Sequence, residues 1–185
     1  MTTEFGRQAG IAFEAVRQCH QDLGRLIADL DGSMTGQGLR RLWNQDAVTS
    51  GVSRASYASY WMAKRLYRLY HNPETANHVV EGINIRFFSD DGSLPEPRLI
   101  VGCIVYDVPP TKTIESIAQT WDLDNGYREW CNATSEDLGK VLSCNASDNG
   151  RILRMIAVGL DLYSIQSLEM VKQALDTVRH QFRVA

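Results

Sequence analysis

Two nearly continuous apolar stretches in the second half of the chain constrain its fold most strongly. Residues 98–108 (RLIVGCIVYDV) and 151–162 (RILRMIAVGLDL) each have the length of a strand and carry apolar side chains at both odd and even positions. Side chains alternate between the two faces of a strand, so such a stretch is typical of a central strand that is covered on both sides. The sequence therefore predicts a layered domain in which helices pack on a sheet.

Each central strand has a predicted hairpin partner. In residues 79–89, Ile83, Ile85 and Phe87 alternate with polar residues, which is the period of a half-buried strand. Residues 140–146 form a second short strand pattern, and the turn that follows contains Asn149-Gly150, a pair that suits a tight hairpin turn. The sequence therefore predicts an antiparallel sheet of two β-hairpins.

Helical segments are predicted between and after the hairpins. Residues 111–138 are expected to be helical in parts, with a break at residues 124–126 (Asp-Asn-Gly). Ser164 or Ser167 is a suitable N-cap for a final helix that runs to about Val184 with an apolar stripe along one side. We therefore expect one intervening helical segment and one C-terminal helix.

The N-terminal segment has the pattern of a long helix. From Thr3 to about Leu30 there is no proline, and apolar residues alternate at spacings of four and three, at Phe5, Ala9, Ala12, Val16, Cys19, Leu23, Leu26 and Leu30. This is the seam of helices that pack at a shallow angle, as in a coiled coil. We divide the chain into this helix, residues 1–31, and a single α+β domain, residues 32–185. The helix is expected to mediate a homodimer, with packing on its own domain or on another protein as alternatives.

Residues 53–71 (SRASYASYWMAKRLYRLYH) are predicted to form a second helix rich in aromatic and cationic side chains, after a short helix at residues 39–45. Helical spacing gives it one apolar face and an opposite face of tyrosines and basic residues, where a solvated helix normally carries Glu, Lys and Gln. Tyrosine and arginine are enriched where proteins bind partners. The candidate binding residues are therefore Tyr57, Tyr60, Lys64, Tyr67, Arg68 and His71; the alternative is that another layer of the protein covers them.

Taken together, these patterns predict the α+β class. A helical N-terminal third, made of the heptad-patterned helix and the aromatic-rich helix, precedes an antiparallel sheet of two β-hairpins with an intervening helix and a C-terminal helix. A chain of 185 residues suits one such domain, and its 44% apolar content is that of an ordinary globular protein.

The charges are unevenly distributed, although the net charge is only −3. Residues 35–71 contain six cationic side chains against Asp46, a balance of +5, whereas residues 112–150 contain three cations against seven acids, a balance of −4. The two blocks either face each other in the fold or the basic block binds an anion. Extended nucleic-acid binding is disfavoured, because it normally comes with a clearly basic domain.

The cysteines and the apolar runs bear on the cellular compartment. The four cysteines, Cys19, Cys103, Cys131 and Cys144, are scattered and show neither a Cys-x-x-Cys pair nor zinc spacing, which is typical of a reducing compartment. No signal peptide or apolar run of about 18 residues is present, so no membrane span is expected. We therefore expect a cytoplasmic protein.

No stretch carries a catalytic signature, and no cofactor or metal site is expected. His71 and His78 do not match a standard metal-ligand spacing. The sequence is therefore interpreted as a non-catalytic interaction or small-ligand sensor module that acts as a regulator or adaptor. One alternative is a metal-dependent hydrolase or nucleotide-processing enzyme that uses Asp90, Asp91, Glu96 and Asp107. Another is an inhibitor or escort for one dedicated protein partner.

Overall fold

The chain folds into a six-stranded antiparallel sheet with helices on both faces. The computed structural model describes residues 4–43, 65–74, 78–87, 97–145 and 150–184, except for the side chain of Phe5. The strands are β1 (Arg40–Arg41), β2 (Arg65–His71), β3 (Val79–Arg86), β4 (Arg98–Tyr106), β5 (Val141–Asn145) and β6 (Ile152–Asp161). Their order in the sheet is β1-β2-β3-β4-β6-β5.

The helices are α1 (Glu4–Gly36), α2 (Ile114–Ile117), α3 (Asp122–Asn125) and α4 (Leu168–Val184). A π-helical turn (Gly126–Trp130) continues α3, and short 3₁₀ turns lie at Ser135–Asp137 and Leu162–Ser164. Helices α1 and α4 pack on one face of the sheet, and the segment from α2 to the π-helical turn packs on the other. The predicted α+β class and its order of long helix, sheet, intervening helix and C-terminal helix are confirmed.

Strands β4 and β6 lie at the centre of the sheet, as their apolar patterns predict. Leu99, Val101 and Cys103 of β4 face α1 and α4, whereas Ile100 and Ile104 face the layer that contains α2 and α3. Each of these side chains is almost fully buried. The predicted β3, β5 and C-terminal helix are present as well, with ends within a few residues of those expected.

Helix α1 is longer than predicted and has two different halves. Leu23, Ile27, Leu30 and Met34 are buried against the sheet and α4, whereas no described side chain between residues 4 and 22 is buried. The helix was expected to end near Leu30 but continues to Gly36, because the side chain of Met34 is also part of the core.

Helix α1 ends at Gly36, and Gly38 caps it. Gly38 adopts a φ of 79°, and its N–H donates to the carbonyl of Thr35 while that of Leu39 donates to the carbonyl of Met34. These two bonds form a Schellman cap, which places a glycine just after the last helical turn.

The predicted helix at residues 53–71 is wrong over its C-terminal part, because residues 65–71 form strand β2; residues 53–64 lie outside the described chain. Arg65–His71 pairs with β3 in unbroken register from Arg65↔Arg86 to His71↔Val80. The sequence RLYRLYH places Leu66 and Leu69 at helical spacing, but its aromatic content also suits a strand, and pairing with β3 decides between them. The predicted short helix at residues 39–45 is also wrong where it is described, since Arg40–Arg41 form strand β1.

The break expected at residues 124–126 is absent. Gly126 has helical dihedral angles, φ −61° and ψ −43°, and leads directly from α3 into the π-helical turn. A Cβ at this position would lie 2.6 Å from Sδ of Met155 and 2.7 Å from Cε3 of Trp130. The glycine therefore permits close packing of the helix on the sheet and does not interrupt it.

A second glycine in the sheet allows the same layer to approach. Gly102 of β4 lies opposite Ala157 of β6, and a Cβ on it would lie 2.4 Å from Cδ1 of Leu123. The two small residues make a depression in the sheet in which the side chain of Leu123 from α3 packs.

Candidate anion-binding groove

The structure distributes the predicted binding residues over two faces of the sheet. Tyr67 and His71 point from β2 toward the α2–α3 layer, and Arg68 points toward α1, because side chains of a strand alternate. Tyr57, Tyr60 and Lys64 lie outside the described residues. The single aromatic and cationic face expected from a helix is therefore not formed by Tyr67, Arg68 and His71.

Arg68 is buried under α1 and contributes to packing. Its Nε lies 3.3 Å from Oδ1 of Asp31, and the hydroxyl of Tyr70 donates to the same oxygen at 2.7 Å. Burial, together with this bond to the carboxylate, raises the pKa of Tyr70 well above its usual range. The three side chains attach α1 to β2.

A groove on the β1 side of the sheet contains the other predicted residue, His71. The main cavity has a volume of about 890 Å³ and is lined by Thr35, Leu39, Arg40, Arg41, Leu42, Trp43, His71, Pro73 and Glu115. A second cavity of about 220 Å³ shares His71, Pro73 and Glu115 with it and adds His78 and Lys112. We call the two together the basic groove.

The basic groove has an excess of positive charge. Arg40, Arg41 and Lys112 are exposed and form no ion pair with the described part of the chain. Glu115 is the acidic residue among the lining side chains, and its Oε1 lies 3.5 Å from Nε2 of His71. Three cations against one carboxylate leave a surplus that suits an anionic ligand.

Trp43 provides a rigid aromatic wall to the groove. Its Nε1 donates to the backbone carbonyl of Glu115 at 3.2 Å, and its ring meets that of Tyr67 edge to face, with centroids 5.7 Å apart. The indole is thus held by α2 on one side and β2 on the other. This arrangement links the edge of the sheet to the helix that carries Glu115.

Helix α2, in turn, is held in place by a buried carboxylate of α3. Asp122 accepts hydrogen bonds from Tyr106, from the backbone N–H of Gln119 and from both terminal nitrogens of Arg151. Arg151 also donates to the carbonyl of Ile117 at 2.7 Å, the last residue of α2. Burial, and then the neighbouring Asp122 carboxylate, raises the pKa of Tyr106 well above its usual value. The network positions the wall of the groove.

Of the four carboxylates in the enzymatic alternative, Asp107 is the one that lies within the described residues. Asp107 is exposed at the end of β4, and Asp90, Asp91 and Glu96 lie outside the described residues. Within the described ranges, no group of three or more His, Cys, Asp or Glu side chains is arranged to hold a metal ion. His71 and His78 do line one cavity, although they are separated along the chain.

Of the predicted binding residues, only His71 lines the groove within the described residues. Arg40 and Arg41 belong to the basic block at residues 35–71, which had an anion site as one interpretation. Lys112 and Glu115 follow β4 and come close only because β2, β3 and β4 are neighbours in the sheet. The sequence feature that points to this groove is the excess of positive charge in residues 35–71.

No protein-family model, curated protein or solved structure matches this chain. Among the described residues, none of the helices is long and apolar enough to cross a membrane.

Proposed function

We propose that this protein is a non-catalytic cytoplasmic regulator or adaptor that senses a small anionic ligand in the basic groove. The observation that carries the proposal is that two exposed arginines and Trp43 line one cavity of about 890 Å³ at the edge of the sheet. Arg40 lies opposite His71 and Arg41 opposite Tyr70, so the two side chains leave β1 on opposite faces, and the cavity extends over the sheet edge between them. Sites for small molecules typically have volumes of about 300–1,000 Å³. The groove therefore has the size and the charge for a ligand that bears phosphate or carboxylate groups.

The contrast with other arginines supports this proposal. Arg68, Arg86 and Arg151 are each directed at a carboxylate inside the protein, at distances of 2.6–3.3 Å. Arg40 and Arg41 have no such partner among the described residues, although they sit next to a cavity. The planar guanidinium fork matches phosphate and carboxylate oxygens in two parallel hydrogen bonds, which gives geometric selectivity as well as attraction.

Replacing both arginines, Arg40→Ala and Arg41→Ala, is expected to weaken ligand binding at least tenfold. A hydrogen bond to a charged group contributes about 1.5–3 kcal/mol, and 1.4 kcal/mol corresponds to a tenfold change in Kd. Isothermal titration with a panel of nucleotides and with inorganic phosphate measures the effect. Binding should also weaken as salt is added, because the cations are exposed.

The double variant Lys140→Ala/Arg183→Ala is the matched control. It removes the same charge from exposed positions before β5 and on α4, away from the groove, and is expected to bind as the wild-type protein does. The proposal is wrong if no member of the panel binds, or if the two double variants lose affinity equally. Equal melting temperatures of the variants would establish that the fold is unchanged.

We also propose that the protein forms a homodimer through α1. The supporting observation is that residues 4–22, about 28 Å of helix, have no described side chain buried, and Ile11 and Phe13 are 60% and 76% exposed. The acidic residues of this half each pair with a nearby arginine: Glu4 with Arg7, Glu14 with Arg17, and Asp22 with Arg25 in the next turn. An identical helix can therefore pack on it without an excess of like charge.

Light scattering after size exclusion at about 100 μM is expected to give twice the mass of the 20.8 kDa chain. Ala12→Glu should shift the protein toward the monomer, because it places a charge in the predicted apolar seam of α1 at an exposed position. Arg183→Glu on α4 serves as the control for an added acid on a helix and should leave the mass unchanged. A monomeric wild-type protein at this concentration contradicts dimerisation.

A further inference from the structure

Cys131 and Cys144 lie in contact, although their positions in the sequence do not suggest a pair. Their Sγ atoms are 2.9 Å apart, and they are 13 positions apart along the chain. Both are free thiols in this structure and both are half-buried. An S–S bond is about 2.0 Å long, so the two sulfur atoms need to approach by about a further 0.9 Å to form a disulfide.

Regular structure holds both thiols in position. Cys131 ends the π-helical turn, and its backbone N–H donates to the carbonyl of Gly126 at 3.0 Å. Cys144 belongs to β5, where it lies opposite Met155 of β6. Both side chains pack on the apolar cluster beneath α2 and α3. Their contact is therefore a property of the fold on this face of the sheet.

Within one chain, neither of the other two cysteines has both solvent access and a neighbouring thiol. Cys103 is buried in β4, and burial raises the pKa of its thiol to about 12. Cys19 is exposed on α1 and takes no part in the contact between Cys131 and Cys144. The thiol of Cys131 donates a hydrogen bond to the sulfur of Cys144. This bond lowers the pKa of the Cys144 thiol and raises the pKa of the Cys131 thiol. Cys144 is thus the better nucleophile of the two.

We infer that Cys131 and Cys144 form a redox-active dithiol that a peroxide converts into an intramolecular disulfide. The Cys144 thiolate attacks one oxygen of hydrogen peroxide, the O–O bond breaks, and the departing hydroxide takes up a proton to become water. The resulting sulfenic acid is attacked by the sulfur of Cys131, which loses its proton, and the hydroxyl group leaves as a second water. Two thiols lose two electrons, and one peroxide is reduced to two waters.

The disulfide would attach an edge strand to the neighbouring helical segment. Strand β5 pairs only with β6 in the sheet order, so its outer edge has no strand partner among the described residues. Oxidation closes a covalent loop from Cys131 to Cys144 and restricts the unfolded chain. A closed loop of this length is expected to raise Tm by about 5–10 °C, a change that a reductant reverses.

Peptide mapping after trypsin tests the inference on the wild-type protein. Cleavage after Arg128, Lys140 and Arg151 places the two thiols in adjacent peptides, residues 129–140 and 141–151. After treatment with hydrogen peroxide and alkylation, we expect these peptides to remain joined and lighter by the mass of two hydrogens than their sum. A reductant should separate them. Recovery of both peptides in alkylated form, under conditions that oxidise Cys19, would overturn the inference.

Cysteine variants distinguish a disulfide between Cys131 and Cys144 from disulfides that involve Cys19. Cys19→Ser should leave the joined peptides unchanged, whereas Cys144→Ser should abolish them together with the reversible rise in Tm. Recovery of Cys144 mainly in a disulfide with Cys19 of the same or another chain also overturns the inference. Peptide mapping of the wild-type protein tests the inference without any variant, so the test stands even if a variant fails to fold.

Discussion

Replacing Asp124 by Asn is expected to lower the free energy of unfolding by about 3–5 kcal/mol, the largest loss we expect from a single charge. Asp124 is fully buried and faces the guanidinium groups of Arg65, Arg86 and Arg128. Arg86 is itself 2% exposed and donates from Nε and Nη2 to the same carboxylate oxygen, at 3.0 and 2.7 Å. Removal of the carboxylate charge leaves Arg86 as an uncompensated buried cation.

Urea unfolding followed by circular dichroism measures this loss as a lower midpoint with an unchanged slope. The double variant Asp124→Asn/Arg86→Met removes both buried charges and should recover part of the lost stability, because a buried pair can be replaced by apolar groups at little net cost. Glu14→Gln is the surface control: it breaks the exposed pair with Arg17 and should change stability by less than about 1 kcal/mol. A loss of that small size for Asp124→Asn would contradict our assignment of the network.

Leu30→Ala is expected to destabilise the protein by about 2–5 kcal/mol, since it removes a buried side chain and leaves a cavity. Leu30 is 1% exposed, and with Leu23, Ile27 and Met34 it attaches α1 to the sheet and to α4. Urea unfolding at low protein concentration, where dimerisation contributes least, isolates this effect.

Val16→Ala provides the control within the same predicted seam. Val16 is half-buried and lies in the half of α1 that is not docked on the sheet, so its truncation should cost much less than that of Leu30. If α1 also forms the dimer, the cost of Val16→Ala should grow as the protein concentration rises. Equal losses for Leu30→Ala and Val16→Ala at low concentration would contradict the division of α1 into a docked and an undocked half.

The contrast between Leu30 and Val16 shows what a heptad pattern in a sequence can predict and what it cannot. Both residues belong to one regular heptad pattern, and the pattern predicts correctly that a helix exists and which side of it is apolar. It does not indicate which heptads meet the sheet. That depends on the length of α1 relative to the strands it covers, which is a property of the assembled domain.

Local pattern determined the α+β class, the central strands and the C-terminal helix. Apolar residues on both faces of residues 98–108 and 151–162 required a covered, central position, and β4 and β6 occupy it. The alternation in β3 predicted a strand, and the apolar stripe of residues 168–184 predicted α4. Each of these patterns lies within one helix or strand, and the side chains that the pattern predicts to be buried are those that the fold buries.

Only the tertiary structure decided the arrangement of the sites. Arg65–His71 fits both a helical and a strand period, and its pairing with β3 separated Arg68 from Tyr67 and His71. The basic groove brings Arg40 and Arg41 near Lys112 across three neighbouring strands, and the contact of Cys131 with Cys144 requires β5 to lie beside β6. These contacts join residues that are distant along the chain, and no local pattern encodes them because their free energy comes from the packing of whole layers.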